Sequence, residues 1–377
     1  MMAQATCIQD FREAARRRIP RAIFDYADGG SYGELTLAAN RRDLDAIQLK
    51  PRVMVDVSQR RLASSMVGQP VALPLAIAPT GLAGLFHRDG EICGARAAEA
   101  AGIPFCLSTV SICSIEDVRA AVEQPFWFQL YVMRDRGFTH SLIERARDAQ
   151  CSALVVTLDL QIQGQRHKDI RNGLSVPPRL TLGNALDIAS KPGWALGVAR
   201  SRRRTFGNLA APGKPDGVTT LSRRILSQFD PTMNWKDIEA FRAQWPGKLI
   251  LKGVMGAEDA RIAAATGADA IVVSNHGGRQ LDSAPSSISA LPEVVEAVGD
   301  RVEVLFDGGV QSGQDVLKAL ALGAKGCLMG KGYLYALAAA GQAGVARAIE
   351  IIRDEMSVSM ALMGVTDVAA VDRGMLG

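Results

Sequence analysis

The sequence predicts an α/β chain closed into a (β/α)8 TIM barrel, with an N-terminal helical cap and a long insertion after the fourth strand. Three observations carry this prediction. Eight short apolar segments recur along the 377 residues, and most do not alternate polar with apolar, which is how strands buried on both faces of a parallel sheet read. Ala- and charge-rich stretches of helical character separate them, several closing on Gly, a common helix stop. No G-x-G-x-x-G follows the first strand, which argues against an open dinucleotide-binding sheet and leaves the closed barrel as the better fit.

In chain order, residues 1–70 form the cap, with a helix at 8–18 and another through FDYADGG. The strand segments follow: LAIAPT (75–80), IPFCLST (103–109), FWFQLY (126–131), ALVVTLD (153–159), KLILKGV (248–254), AIVVSNH (270–276), VEVLFDGG (302–309) and GCLMGKG (326–332). Helical stretches such as GEICGARAAEAAG, SIEDVRAAVE, SLIERARDAQ, AEDARIAAATG and SGQDVLKALALG lie between them. Residues 160–247 interrupt the repeat, and a connection that long usually carries function. The chain thus reads as one domain over 1–377: a cap (1–70) and a barrel (71–377) with the insertion 160–247.

A net charge of +4 and 48% hydrophobic residues describe an ordinary globular chain and give no global sign of a nucleic-acid partner. The six cysteines form no C-x-x-C pair, and several sit in apolar runs, so reduced thiols and a cytoplasmic setting are expected. The first twenty residues contain no apolar core of a secretory signal. No apolar run reaches the ~18 residues of a spanning helix, so membrane contact would be peripheral. Charge does concentrate locally. Residues 179–224 hold nine Lys/Arg (Arg179, Lys191, Arg200, Arg202, Arg203, Arg204, Lys214, Arg223, Arg224) against Asp187 and Asp216, interleaved with Trp194, Leu196, Val198, Phe206 and Leu209. That pattern suits an anionic lipid surface, another anion or a solvated loop.

Barrel enzymes place chemistry at the C-terminal strand ends. Here those ends read Pro79-Thr80-Gly81, Ser108-Thr109, Gln129 and Tyr131, Thr157 and Asp159, Lys252, His276, Asp307-Gly308-Gly309 and Gly330-Lys331-Gly332: polar tips on apolar segments. His276, one of four histidines, stands in SNHGGRQLD, where two glycines permit a tight turn. Arg279 follows three residues later. A guanidinium that clamps a carboxylate beside an imidazole that takes a proton suits deprotonation of an anionic substrate, with Asp159 as the partner of the His. Glycines after strands seven and eight mark the usual barrel phosphate site. No H-E-x-x-H or paired Cys/His spacing points to a metal, and no G-x-S-x-G to a serine hydrolase. Lys252 leaves a Schiff-base aldolase open; its other reading is to hold charge on a reduced cofactor ring.

With these residues in view, the sequence resembles the FMN-dependent 2-hydroxy acid dehydrogenase and oxidase family over nearly its whole length. SNHGGRQLD is the most specific block, with IAPTGLAG, LSTVSICSIEDV, WFQLYVMRDRG, LKGV and DVLKALALGA beside it. YADGG, FDPTMNWKDI and YLYALAAAGQAGVA bring it nearest the bacterial quinone-linked, L-lactate-oxidising branch. The resemblance implies FMN as cofactor and oxidation of an L-2-hydroxy acid to the 2-oxo acid. L-lactate is the first choice of substrate, and mandelate or another larger acid the second. It also implies a quinone acceptor, peripheral contact with the cytoplasmic face of the inner membrane through 179–224, and a homotetramer. By position it implies His276 as base with Asp159 behind it, Arg279 and Tyr26 on the carboxylate, Tyr131 on the hydroxyl and Arg166 assisting. It implies Lys252 at the flavin N1–C2 edge, and Pro79, Thr80, Gly81, Ser108, Gln129 and Thr157 lining the ring. Asp307 would meet the ribityl chain, and Gly308 to Gln311 with Gly330 and Lys331 the phosphate. Gly81 stands where oxidases often carry Ala, which implies a dehydrogenase with poor oxygen reactivity. Two positions depart from the pattern: Gln311 and Lys331 stand where the family usually has Arg, which implies a weaker hold on FMN and is the one motive for reading the chain as an impaired, flavin-free binding barrel.

Overall fold

The computed structural model describes residues 4–173, 181–203, 205–209 and 228–377. Eight parallel strands form one sheet: β1 (Leu75–Ile77), β2 (Cys106–Ser108), β3 (Trp127–Leu130), β4 (Ala153–Thr157), β5 (Lys248–Val254), β6 (Ala270–Val273), β7 (Glu303–Asp307) and β8 (Gly326–Met329). Each pairs with its sequence neighbour, and β8 pairs with β1. A bridge between Ile77 and Phe105, with the Ile77 amide donating to Pro104 O at 2.9 Å, joins β1 to β2. The ring is closed, as the eight-fold repeat predicts.

The strand residues divide by alternation. Ala76, Cys106, Trp127, Val155, Ile250, Val272, Leu305 and Leu328 fill the barrel interior, sealed below by Met66 and Val67 of the hairpin Ser64–Met66/Gln69–Val71. Leu75, Leu107, Phe128, Leu154, Leu251, Ile271, Phe306 and Met329 face outward into a second apolar layer shared with the helices. Both faces of every strand are therefore dry, which is why the sequence shows runs instead of alternation.

Three helices precede the barrel: α1 (Ile8–Arg18), α2 (Arg21–Asp28) and α3 (Leu35–Ala46). α2 starts earlier than FDYADGG and ends at Asp28, with the cap amide of Gly29 bonded to Asp25 O. The segment after β4 carries Leu182–Ala189 and Pro192–Ala199, neither with a buried residue. Its last part, Trp235–Gln244, is the helix that returns the chain to β5, started by an Asn234–Asp237 capping box. Arg179, Arg204, Lys214, Asp216, Arg223 and Arg224 lie outside the described residues. All six cysteines are free, and four of them are buried.

Candidate active site

At the C-terminal end of the barrel the loops after the strands surround a cavity that opens to solvent. Its wall includes Tyr26, Pro79, Thr80, Gly81, Tyr131, Thr157, Arg166, Lys252, His276, Arg279, Asp307, Gly308, Gly309, Gln311, Gly330 and Lys331. Most residues expected from strand ends are thus brought to one space.

His276 sits just past β6 with φ 59°, a left-handed conformation that costs a non-glycine residue roughly 1–2 kcal/mol. Several bonds hold it there. Its amide donates to Ser274 Oγ at 3.1 Å, and its Nδ1 meets Asp159 Oδ1 at 2.9 Å. That leaves Nε2 facing Tyr131 Oη at 3.4 Å. Burial raises the Asp159 carboxyl, but the charge and hydrogen bond of His276, with Lys252 behind, outweigh it and keep the group below its ordinary value. Asp159 is therefore a carboxylate able to fix the Nδ1–H tautomer and stabilise an imidazolium. It stands behind the cavity wall and not in it.

Two guanidinium groups line the same cavity. Arg279 lies over the Tyr26 ring, 4.7 Å from its centroid, and donates to Tyr26 O and to Gly29 O, the latter at 3.1 Å. Arg166 is buried, and its Nε has no partner among the described residues. Burial and then repulsion from Arg279 lower Arg166 to about 10. A buried guanidinium depressed by a second cation, with Asp169 no nearer than 4.0 Å, has room for a further anionic partner. Burial also pushes the Tyr131 hydroxyl up, so it stays protonated as a donor.

Lys252 leans into the barrel where β5 bulges. Register shifts between Lys252 and Val254, and Gly253 between them has φ +107°. A Cβ at Gly253 would lie 2.8 Å from Asp159 Cγ, so only glycine fits. The Lys252 ammonium donates to Asp307 Oδ2 at 2.5 Å and Ser274 Oγ at 2.7 Å, and Ser274 Oγ donates on to Asp307 at 2.7 Å. Ser274 joins the buried lysine to the backbone of His276, a link the sequence reading did not find.

Ser108 and Gln129 are buried and do not line the open cavity. Ser108 Oγ donates to Gln129 Oε1 at 3.1 Å, and Gln129 Nε2 donates to the wall residue Thr157 at Oγ1 at 2.9 Å. At the glycine end, the Gln311 amide is already bonded to Asp315 Oδ2 at 2.9 Å. Lys331 turns toward the end of α2, donating to Asp28 O at 2.8 Å and Gly29 O at 3.0 Å. Burial and then Arg279 lower this ammonium from 10.5 to about 7. The cap supplies wall residues the sequence reading missed, among them Leu37, Asn40 and Arg41 of α3. Nothing in TLAANRRDL marks them, because a short helix in a cap carries no signal of what it faces.

The cavity fits a flavin mononucleotide on three counts. Thr80 Oγ1 is buried in its wall without a partner among the described residues. The helix Lys331–Leu362 begins at Gly330 with no side-chain cap, which leaves N-terminal amides for a phosphate. Lys252 provides a dry cation for the electron-accepting edge.

Comparison with known proteins agrees. The family described as FMN-dependent dehydrogenase matches residues 15–377. An L-lactate dehydrogenase of Caulobacter sp. (strain K31) is 50% identical over 369 residues, covering 97% of each chain. One from Ectopseudomonas mendocina (strain ymp) is 44% identical over 369 residues, again at 97% of each. Among solved structures, a monotopic membrane protein, (S)-mandelate dehydrogenase, superposes with a TM-score of 0.95 at 35% identity and 99% coverage of both chains. A mandelate oxidase superposes at 0.84 with 38% identity, covering 99% of this chain and 98% of the other. The chain belongs to the FMN-dependent dehydrogenase family.

Proposed function

We propose that the protein oxidises a small L-2-hydroxy acid, L-lactate before others, to the 2-oxo acid and passes the electrons to a quinone. The observation that carries this reading is that His276, backed by Asp159, shares the wall of one cavity with Arg279 and Arg166. The Arg279 and Arg166 guanidinium groups grip the substrate carboxylate, with Tyr26 against Arg279. Tyr131 donates to the substrate hydroxyl. His276 Nε2 receives the proton, and the resulting imidazolium is held by Asp159 at Nδ1. FMN, when bound, supplies the two-electron sink. Pro79, Thr80, Gly81 and Thr157 would line it, Lys252 would hold negative charge at its ring edge, and Asp307 would meet its ribityl chain. Gly308, Gly309, Gln311, Gly330 and Lys331 would receive its phosphate.

Two facts favour a small acid. The relatives at 44–50% identity are named L-lactate dehydrogenase. In addition, the space that Gly81 leaves is taken by Val110, whose Cγ2 lies 2.7 Å from where a Cβ would sit. Gly81 therefore does not by itself widen the pocket for mandelate. Anaerobic flavin bleaching with a panel of L- and D-lactate, L-mandelate and longer 2-hydroxy acids tests this. L-lactate should bleach fastest; mandelate bleaching faster would reassign the substrate. Gly81 goes with a dehydrogenase that is slow with oxygen.

The phosphate grip gives a testable consequence. Lys331 carries its charge below pH about 7 and loses it above, and a bound phosphate favours the charged form. FMN affinity should therefore fall as pH rises from about 7, and salt should weaken it further. After extended dialysis, FMN content should be lower at pH 8.5 in high salt than at pH 6.5 in low salt. Full occupancy under both conditions would contradict a weakened grip at Gln311 and Lys331.

Contact with an anionic membrane, on the cytoplasmic face, belongs to the same proposal. Leu182, Leu186 and Leu196 are exposed on helices with no fully buried residue, Trp194 alone packing against the core, beside Lys191, Arg200 and Arg202. No helix among the described residues is long and apolar enough to cross a bilayer. The protein should sediment with phosphatidylglycerol-containing vesicles and not with neutral ones. Leu182→Glu/Leu186→Glu should abolish sedimentation and leave flavin reduction unchanged; equal sedimentation of parent and variant would remove these helices from the contact. A homotetramer completes the proposal, and light scattering measures it.

A further inference from the structure

The left-handed backbone of His276 needs a support that survives turnover, and the residue before it provides one. Asn275 is buried, and its side-chain amide is clasped by that of Asn40 from α3 of the cap. Asn40 Nδ2 donates to Asn275 Oδ1 at 2.8 Å, and Asn275 Nδ2 donates back to Asn40 Oδ1 at 2.7 Å. The orientation of both amides is fixed by their other partners. Gly278 N donates to Asn275 Oδ1 at 3.1 Å, and Asn275 Nδ2 also donates to Pro285 O at 3.1 Å. Ser287 N donates to Asn40 Oδ1 at 3.1 Å. A flipped amide at either position would set N–H against N–H, so one arrangement survives.

Asn40 is 1% exposed and lines the cavity. It is separated by 235 residues from the partner it holds. The clasp spans the turn 275–278 from its first residue to its last, with His276 inside it. We propose that Asn40 is a positioning residue for the base: through Asn275 it sets the backbone of this turn so that His276 Nε2 is presented to the substrate. The role demands an amide, because it needs one donor and one acceptor on the same short side chain. Asp offers the acceptor only, and Leu offers neither.

The proposal rests on His276 being the base, so that assignment is tested in the same assay. The FMN-loaded protein and its Asn40→Leu, Asn40→Asp and His276→Asn variants are mixed anaerobically with L-lactate, and the flavin reduction rate is expressed per bound flavin. The dissociation constant of 2-hydroxy-2-methylpropanoate is read from its perturbation of the flavin spectrum. This acid has the carboxylate and hydroxyl but no C2–H to lose. A base displaced by about 1 Å costs on the order of 10²-fold in rate, so Asn40→Leu should reduce flavin that much more slowly. The binding of the unreactive acid should hold, since the guanidinium clamp is untouched. L-lactate deuterated at C2 should show an isotope effect in the variant at least as large as in the parent. Asn40→Asp, which keeps two acceptor bonds, should fall between, and it carries the test if Asn40→Leu does not fold. In Asn40→Leu/Asn275→Leu the loss should not exceed that of the worse single variant, because the pair acts as a unit.

A parent-like rate per bound flavin in Asn40→Leu, with His276→Asn inactive, would overturn the positioning role and leave the base assignment standing. Parent-like reduction in His276→Asn would overturn both. Equal losses in rate and in binding of the unreactive acid would mean general disruption of the site, which also contradicts the proposal.

Discussion

His276→Asn is expected to bind FMN as the parent does and to reduce it more slowly by roughly 10²–10⁴-fold, the range a positioned general base supplies. Asparagine suits the test because it tolerates the left-handed backbone found at this position. The fold, the arginine clamp and the glycine turns stay in place, and only the proton acceptor goes. Asp159 then loses the charge and hydrogen bond that keep its carboxyl low, so its value should rise. FMN content by absorbance and single-turnover reduction by L-lactate measure the two halves separately. Near-normal reduction in this variant would remove His276 from the chemistry.

Lys252→Met should produce the second large effect, in two quantities at once. The ammonium is buried between Asp307 and Ser274. Methionine fills much of its volume but leaves the Asp307 carboxylate without a cation. Breaking a buried pair from one side costs roughly 3–5 kcal/mol of stability, which a denaturant titration reads. Removing a preorganised charge from where negative charge develops should slow flavin reduction by on the order of 10²–10³-fold. The reduction potential of the bound flavin should fall as well, because the reduced form loses its counter-charge. A variant with an unchanged potential and rate would make Lys252 a structural ion-pair partner only. The same variant bears on the Schiff-base alternative: a lysine already committed to a carboxylate and a hydroxyl, beside the His276–Asp159 pair, is better placed as a fixed charge than as a nucleophile.

The barrel was legible because of how its strands are buried. Leu154 and Val155 face opposite layers that are both dry, so apolar runs persist and the polar tips that follow them stand out. Asp159, Lys252 and His276 were readable on that basis, as tips of three different strands, with Arg279 three residues beyond His276 in the same turn. Depth was not readable. Ser108 and Gln129 stand at or near the ends of their strands as Thr157 does, yet both are buried off the cavity wall and joined to Thr157 by side-chain hydrogen bonds. The direction of Lys331 was hidden for another reason: a long, flexible side chain can follow the carbonyls at the end of α2, and those belong to a segment 303 residues away. The cap residues were hidden most completely. Asn40 and Arg41 lie on a helix whose pattern records only that it is a helix. The identity of what it packs against is written in the turn 274–278, and only the folded chain brings the two together.

Anaerobic mixing of the FMN-loaded protein with L-lactate, with the flavin absorbance followed through a single turnover, tests base, clamp and electron acceptor together. The expected result is bleaching of the oxidised band with one pyruvate formed per flavin, slowed when C2 carries deuterium. Absence of bleaching with L-lactate and with every other L-2-hydroxy acid, in protein that holds its full complement of FMN, would contradict it.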